Sequence, residues 1–201
     1  MHHVDPAFRR EAEEIELHLR AHGFVLTTLQ DWITERTPRA AEHLLLGWLD
    51  QTESDEVREL IARVLTQKGF GRSVGALIKA FRVASNDGTR WAIGNAIVHI
   101  GFTQNRWSEL VDLASERRLG PGRQMIVGAL HRVKAPDTES VLLSLLNDGD
   151  VDAFALRALS FCGSDLTYEH LQTLSGEGRS PLFKRTLTSA LRRLEKRLKK
   201  R

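Results

Sequence analysis

A segment that returns at a near-constant spacing restricts a fold more than composition does, because every copy must fold alike and bury its apolar side against the next. Here the segment Asp55–Leu65 (DEVRELIARVL) returns 32 residues later as Asp87–Ile97 (DGTRWAIGNAI), then after 33 at Gly120–Leu130 and after 29 at Gly149–Leu159. Ile61, Ile93, Ile126 and Ala155 fall in register, as do Leu65, Ile97, Leu130 and Leu159, and Gly69, Gly101 and Gly163 close three of the copies. A fifth copy puts Phe183, Leu187 and Leu191 in the same places. A second apolar segment accompanies each copy, anchored by Leu77, Leu110, Leu142 and Leu171, with Leu45 ahead of them. Apolar residues recur at three and four, as in Leu77, Ile78 and Phe81, so each repeat predicts two short amphipathic helices and no strand.

The prolines agree with that register. Pro is tolerated in the first turn of a helix and damaging inside it. Asp5-Pro6, Thr37-Pro38 and Ser180-Pro181 pair a capping residue with Pro at the first helical position, Gly120-Pro121 does so with a weaker cap, and Pro136 precedes the caps Asp137 and Thr138. Ahead of the repeats, Pro6 to His22 reads as a helix with Phe8, Ala12, Ile15 and Leu19 on one face, followed by a shorter one with Leu29, Trp32 and Ile33. Residues 1–37 are thus expected to form an N-terminal helical cap, and residues 38–201 a repeat array ending in a basic helix.

Asp55-x-x-Arg58 and Asp87-x-x-Arg90, the small and aliphatic positions after them, the closing glycines and a second helix of the Val74–Phe81 kind together resemble HEAT-like repeats, in the short form of phycobilin-lyase-type proteins. The third copy departs from the pattern with Gly120 for the acid and Lys134 for the closing glycine, and the fourth with Gly149 and Asp152 for acid and Arg. The resemblance implies an all-α, right-handed α-solenoid of helix pairs whose concave face is lined by the second helices. It also implies that Arg58, Arg90 and Arg123 pair with acids of neighbouring repeats such as Asp55 and Asp87. Tetratricopeptide and ankyrin repeats have similar periods, but their signatures are missing.

Composition bounds the class. Of 201 residues 41% are hydrophobic and 27% charged, enough for a core and too polar for a membrane span, so a soluble protein is expected. No basic-then-apolar leader is visible at Met1–Pro6, and Cys162 is the lone cysteine, so the expected home is cytoplasmic. Charge is uneven: residues 1–60 hold 13 acidic and 6 basic side chains, residues 61–178 hold 12 and 13, and residues 179–201 hold 1 and 10. Attraction to anions belongs at the C-terminal end.

Projected from the anchor leucines, the concave face presents Lys79, Arg82, Glu109, Asp112, Asn147 and His170, with Ser144 and Thr173. A groove that follows a phosphate backbone needs a basic column, and Glu109 with Asp112 interrupts one, so a protein or peptide partner is favoured. Trp91 and Trp107 each follow an arginine and are candidate anchors, or core, while Trp48 beside Leu45 and Leu49 reads as core. In the last helix Phe183, Leu187, Ala190, Leu191, Leu194 and Leu198 form one stripe, and Arg192, Arg193, Lys196, Arg197, Lys199 and Lys200 lie off it. That helix is either a polar terminal cap or a docking site for anions, nucleic acid included.

No catalytic set emerges from the sequence, and no cofactor or metal is expected. His18 and His22 are four apart with Glu14 a turn earlier, without a third histidine, and read as surface residues. Cys162 reads as a small buried residue. Arg90–Gly94 and Trp107–Asp112 resemble segments of the HEAT-like alkylpurine DNA glycosylases, but the order of the two helices is reversed and Trp107 and Asp112 are five apart, on different faces. Those catalytic roles are not carried over. The expected function is a non-catalytic scaffold or adaptor, with nucleic-acid binding as the alternative.

Overall fold

The structure, a computed structural model, describes residues 6–101 and 104–200. It is all-α: twelve α-helices joined by short 3-10 turns, with no strand among the described residues. The chain divides into two compact halves, one ending at Gly101 and the other starting at Phe102. The first holds α1 (Pro6–Ala21), α2 (Asp31–Thr34), α3 (Glu42–Gln51), α4 (Asp55–Leu65), α5 (Val74–Val83) and α6 (Asp87–Ile100). The second holds α7 (Trp107–Ser115), α8 (Gln124–Ala129), α9 (Thr138–Ser144), α10 (Asp152–Cys162), α11 (Asp165–Thr173) and α12 (Pro181–Leu198).

Helix starts follow local chemistry. The side chains of Ser54, Asn86, Ser164 and Ser180 accept from the backbone N–H groups of Val57, Thr89, Thr167 and Phe183, and each such cap adds about 1 kcal/mol. Pro181 opens α12 directly after its cap. Three expected starts differ. Thr37 does not cap: its hydroxyl donates to the carbonyls of Trp32 and Val64, tying the loop after α2 to α4. Thr138 likewise donates to Val133 and Ala135, and Asp137 makes no capping bond. Pro121 sits in a 3-10 segment, Arg117–Arg123, that is kinked at Gly120 (φ 57°), and α8 starts only after it. Asp5 lies outside the described residues.

In the first half, α4 packs on α6, α3 on α4 and α5, and α5 on α6, while α1 and α2 lie on α4. Ile61, Leu65, Leu77, Phe81, Ile93 and Ile97 are fully buried there. In the second half, α10 lies between α8 and α12, with α7 on α8, α9 on α10 and α11 on α12. Ile126, Leu130, Leu142, Leu156, Leu159 and Phe183 fill that core, each side chain contributing about 1.5–3 kcal/mol by leaving water. A Cβ on Gly163 would stand 2.6 Å from a Thr167 methyl and 2.9 Å from the Leu159 carbonyl, and one on Gly101 would overlap a Val74 methyl. At these two closing positions glycine lets the chain run directly against a neighbouring helix, α11 for Gly163 and the earlier α5 for Gly101.

Two carboxylates, Asp55 buried and Glu139 half-buried, bind one repeat to the following turn. Asp55 accepts at Oδ2 from Ser85 N (2.8 Å), Ser85 Oγ (2.7 Å), Asn86 N (3.0 Å) and Asn86 Nδ2 (2.9 Å), thirty residues ahead. Glu139 does the same in the second half, its Oε1 accepting from Ser164 N and Oγ, both at 2.7 Å, and from the Thr167 hydroxyl. The expected arginine pairing across repeats is met only by Arg123, whose Nη2 lies 2.9 Å from Asp148 Oδ2. Arg58 and Arg90 instead pair with Asp55 (2.8 Å) and Asp87 (3.2 Å) on their own helices and donate to the carbonyls of Thr52 and Ala84. At i and i+3 the acid is already within reach, so these arginines close their own turn.

Candidate functional site

Two open grooves stand out, one in each half. The larger, about 520 Å³, runs between α10 and α12. From α10 it takes Ala153, Phe154, Arg157, Ser160 and Phe161, and from α12 Leu182, Arg185, Thr186, Ser189, Ala190 and Arg193. Both sets follow three-and-four spacing, one stripe on each helix. Ala153 and Ala190, with Ser160, are the buried members, and their short side chains leave the space between the helices unfilled. Phe161 and Leu182 are each 42% exposed, large apolar surface at the groove's edge.

The lining holds three guanidinium groups and no acid. Arg157 and Arg185 are exposed, and among the described residues neither they nor Arg193 forms an ion pair. Arg193 places its guanidinium carbon 4.4 Å from the centre of the Phe161 ring, a cation–π contact. His131 stacks on the same ring at 4.5 Å with planes 14° apart. Phe161 therefore carries both an imidazole and a guanidinium against its ring. His131 donates from Nδ1 to the Gly128 carbonyl at 3.0 Å. Burial, and the nearby charges of Arg132, Arg157 and Arg193, push the imidazole below its ordinary value despite that bond, which favours its neutral form.

The smaller groove, about 370 Å³, lies beside α5 and is lined by Leu49, Asp50, Arg58, Lys79, Arg82 and Val83, with Ala76 and Ala80 beneath. Val83 is 63% exposed. The structure thus brings Lys79 and Arg82 together on one wall, opposite a carboxylate. The other residues assigned to a common face enter neither groove: Asp112, Asn147 and His170 are exposed, and Glu109 pairs with Arg106 at 2.8 Å. Trp91 is 41% exposed on α6, whereas Trp107 is half-buried at the start of α7, its indole N–H without an acceptor among the described residues.

The cations of the last helix separate into three sets. Arg193 belongs to the groove, and Arg192, Lys196 and Lys200 stand exposed. Arg197 turns back to donate to the Gly163 carbonyl and is structural, and the exposed Lys199 pairs with Glu195 one turn earlier at 2.6 Å. Sequence reasoning missed Arg157, Phe161 and Leu182. Arg157 and Phe161 at i and i+4 on α10 were the available signal, but their relation to α12 arises only on packing.

The remaining chemistry-bearing groups have structural work. Trp48 is half-buried rather than core, donating from Nε1 to His18 Nδ1 at 2.9 Å. That nitrogen of His18 is therefore an acceptor already in use. No group of three metal-ligating side chains occurs among the described residues. Burial, with Glu139 nearby and only partly offset by Arg197, pushes the Cys162 thiol up to about 11. At pH 8 iodoacetamide should alkylate Cys162 roughly tenfold to a hundredfold more slowly than an exposed cysteine peptide. Mass spectrometry of timed samples gives the rate, and one equal to the peptide's would contradict the burial described.

No helix among the described residues is long and apolar enough to cross a membrane. Comparison with protein-family models, with curated proteins and with solved structures finds no match.

Proposed function

We propose that the chain is a right-handed α-solenoid of HEAT-like helix pairs, acting in the cytoplasm as a non-catalytic scaffold that binds a protein or peptide partner. The groove beside α5 carries this reading. Lys79 and Arg82 share it with Asp50, and Val83, mostly exposed, adds apolar surface beside the buried Leu49. Mixed signs around an exposed aliphatic group suit a protein surface, where a small apolar anchor is ringed by polar contacts. A phosphate backbone would favour cations alone.

The test is partner capture from native extract on the intact chain, with and without nuclease, followed by mapping with Lys79→Glu and Arg82→Glu. The expected partner survives nuclease, and its affinity falls about tenfold or more with either substitution, while the circular dichroism melt of Lys79→Glu is unchanged. An interface that excludes both residues, or capture abolished by nuclease, would overturn the reading. The second reading, nucleic-acid binding, draws on the exposed Arg192 and Lys196 of α12 and Lys200 just after it. It predicts steep loss of oligonucleotide affinity with salt, abolished on deleting residues 192–201.

A further inference from the structure

The groove between α10 and α12 lies in the other half of the chain and has a different chemistry, so it asks for its own ligand. We propose that it docks an extended acidic peptide segment, with two carboxylates four residues apart taken by Arg185 and Arg193 and a large apolar side chain seated between them over Ala153 and Ala190.

Charge complementarity comes first. Three guanidinium groups line an acid-free groove, and among the described residues none has an ion-pair partner. Guanidinium is weakly hydrated and forked, suited to binding carboxylate through two parallel hydrogen bonds. Geometry sets the spacing. Arg185 and Arg193 are eight residues apart on one helix, a rise of about 12 Å. Four residues of extended chain cover about 13 Å, and residues i, i+2 and i+4 of such a chain face one side. An acid, an apolar residue and a second acid at those positions therefore meet Arg185, the small-residue floor and Arg193 in turn. Arg157 faces the same space from α10, and the hydroxyls of Thr186 and Ser189 are available to the peptide backbone.

The same details disfavour a single nucleic-acid strand. Such strands gain much of their affinity by stacking bases on aromatic faces. Phe161, the one aromatic side chain of the groove besides Phe154, already carries His131 and Arg193 against its ring and is not a free stacking platform.

The probe is a random peptide display library selected on the full chain. Enriched peptides should carry an Asp or Glu on each side of a Leu, Ile or Phe with alternate spacing. Resynthesised with a fluorophore, they should lose about tenfold or more in affinity with Arg185→Ala or with Arg193→Ala. Ser189→Trp removes no charge but fills the groove, and should abolish binding; Arg192→Ala, on the same helix outside the groove, should change affinity less than about twofold. All four positions are exposed, so unchanged melting curves keep the comparison clean. Enrichment without paired acids, binding that survives Ser189→Trp, or equal losses from Arg192→Ala and Arg185→Ala would overturn the proposal. So would a single-stranded oligonucleotide that binds more tightly than the peptides and also loses its site with Ser189→Trp.

Discussion

Arg123→Ala should destabilise the protein by about 3–5 kcal/mol. The side chain is fully buried, with Nε donating to Gly120 O at 2.8 Å, Nη1 to Ala114 O at 2.9 Å and Nη2 to Asp148 at 2.9 Å. Truncation would leave two carbonyls without their donor and a buried carboxylate whose remaining cation, the exposed Arg117, is 3.8 Å away. It would also open a cavity where the 3-10 segment meets α8. Arg123→Lys keeps the charge but cannot make three directed bonds, so it should fall between. Because Arg123 and Asp148 share one interaction, removing both should cost less than the two single losses added together. Urea unfolding followed by circular dichroism measures the wild type and all four variants. A loss under about 1 kcal/mol for Arg123→Ala would mean that this network does not hold the turn.

Asp55→Ala should cost about 2–4 kcal/mol and flatten the response of stability to acid. Burial disfavours the charge of Asp55, yet the donors of Ser85, Asn86 and Arg58 together outweigh it and hold the carboxyl below its usual 3.8. The unfolded chain therefore takes up the proton first on acidification. The stabilisation is fully present above the unfolded value and is lost as pH falls through the lower folded one. Glu139 behaves alike: burial opposes its ionisation, and Thr167, Ser164 and Arg197 more than compensate. Asp152 acts in the opposite sense. Burial raises its carboxyl despite the Ala153 N–H and Arg179, so its ionised form opposes folding and acid relieves part of the loss. Melting temperature should fall below roughly pH 4 in the wild type and less steeply in Asp55→Ala. A flat wild-type profile would contradict the hydrogen bonds described for Asp55 and Glu139.

The helical order was legible because it is written in a period. Leu45, Leu77, Leu110, Leu142 and Leu171, chosen from spacing alone, are all fully buried. What a period cannot show is where a side chain at the polar margin will turn. Arg197 reads as one more cation of the tail, yet its acceptor is a carbonyl thirty-four residues earlier. The groove was hidden for a related reason. Arg185 and Arg193 are visible as charges, but the groove exists because Ala153 and Ala190 are too short to close it, and that matters only once α10 lies against α12. The arginines at i+3 from Asp55 and Asp87 show a third limit, since a repeated pair fits both a bond within the helix and one to a neighbour.

The carboxylate of Asp55, gripping the turn of the following copy, also bears on how such a chain can lengthen or shorten. Its partners Ser85 and Asn86 lie within one repeat length, so a duplication that spans acid and turn together arrives with both halves of its own clasp. A deletion that separates them would strand an ionised group in the interior. Whole modules can be gained with little penalty, whereas a cut between the two would be selected against.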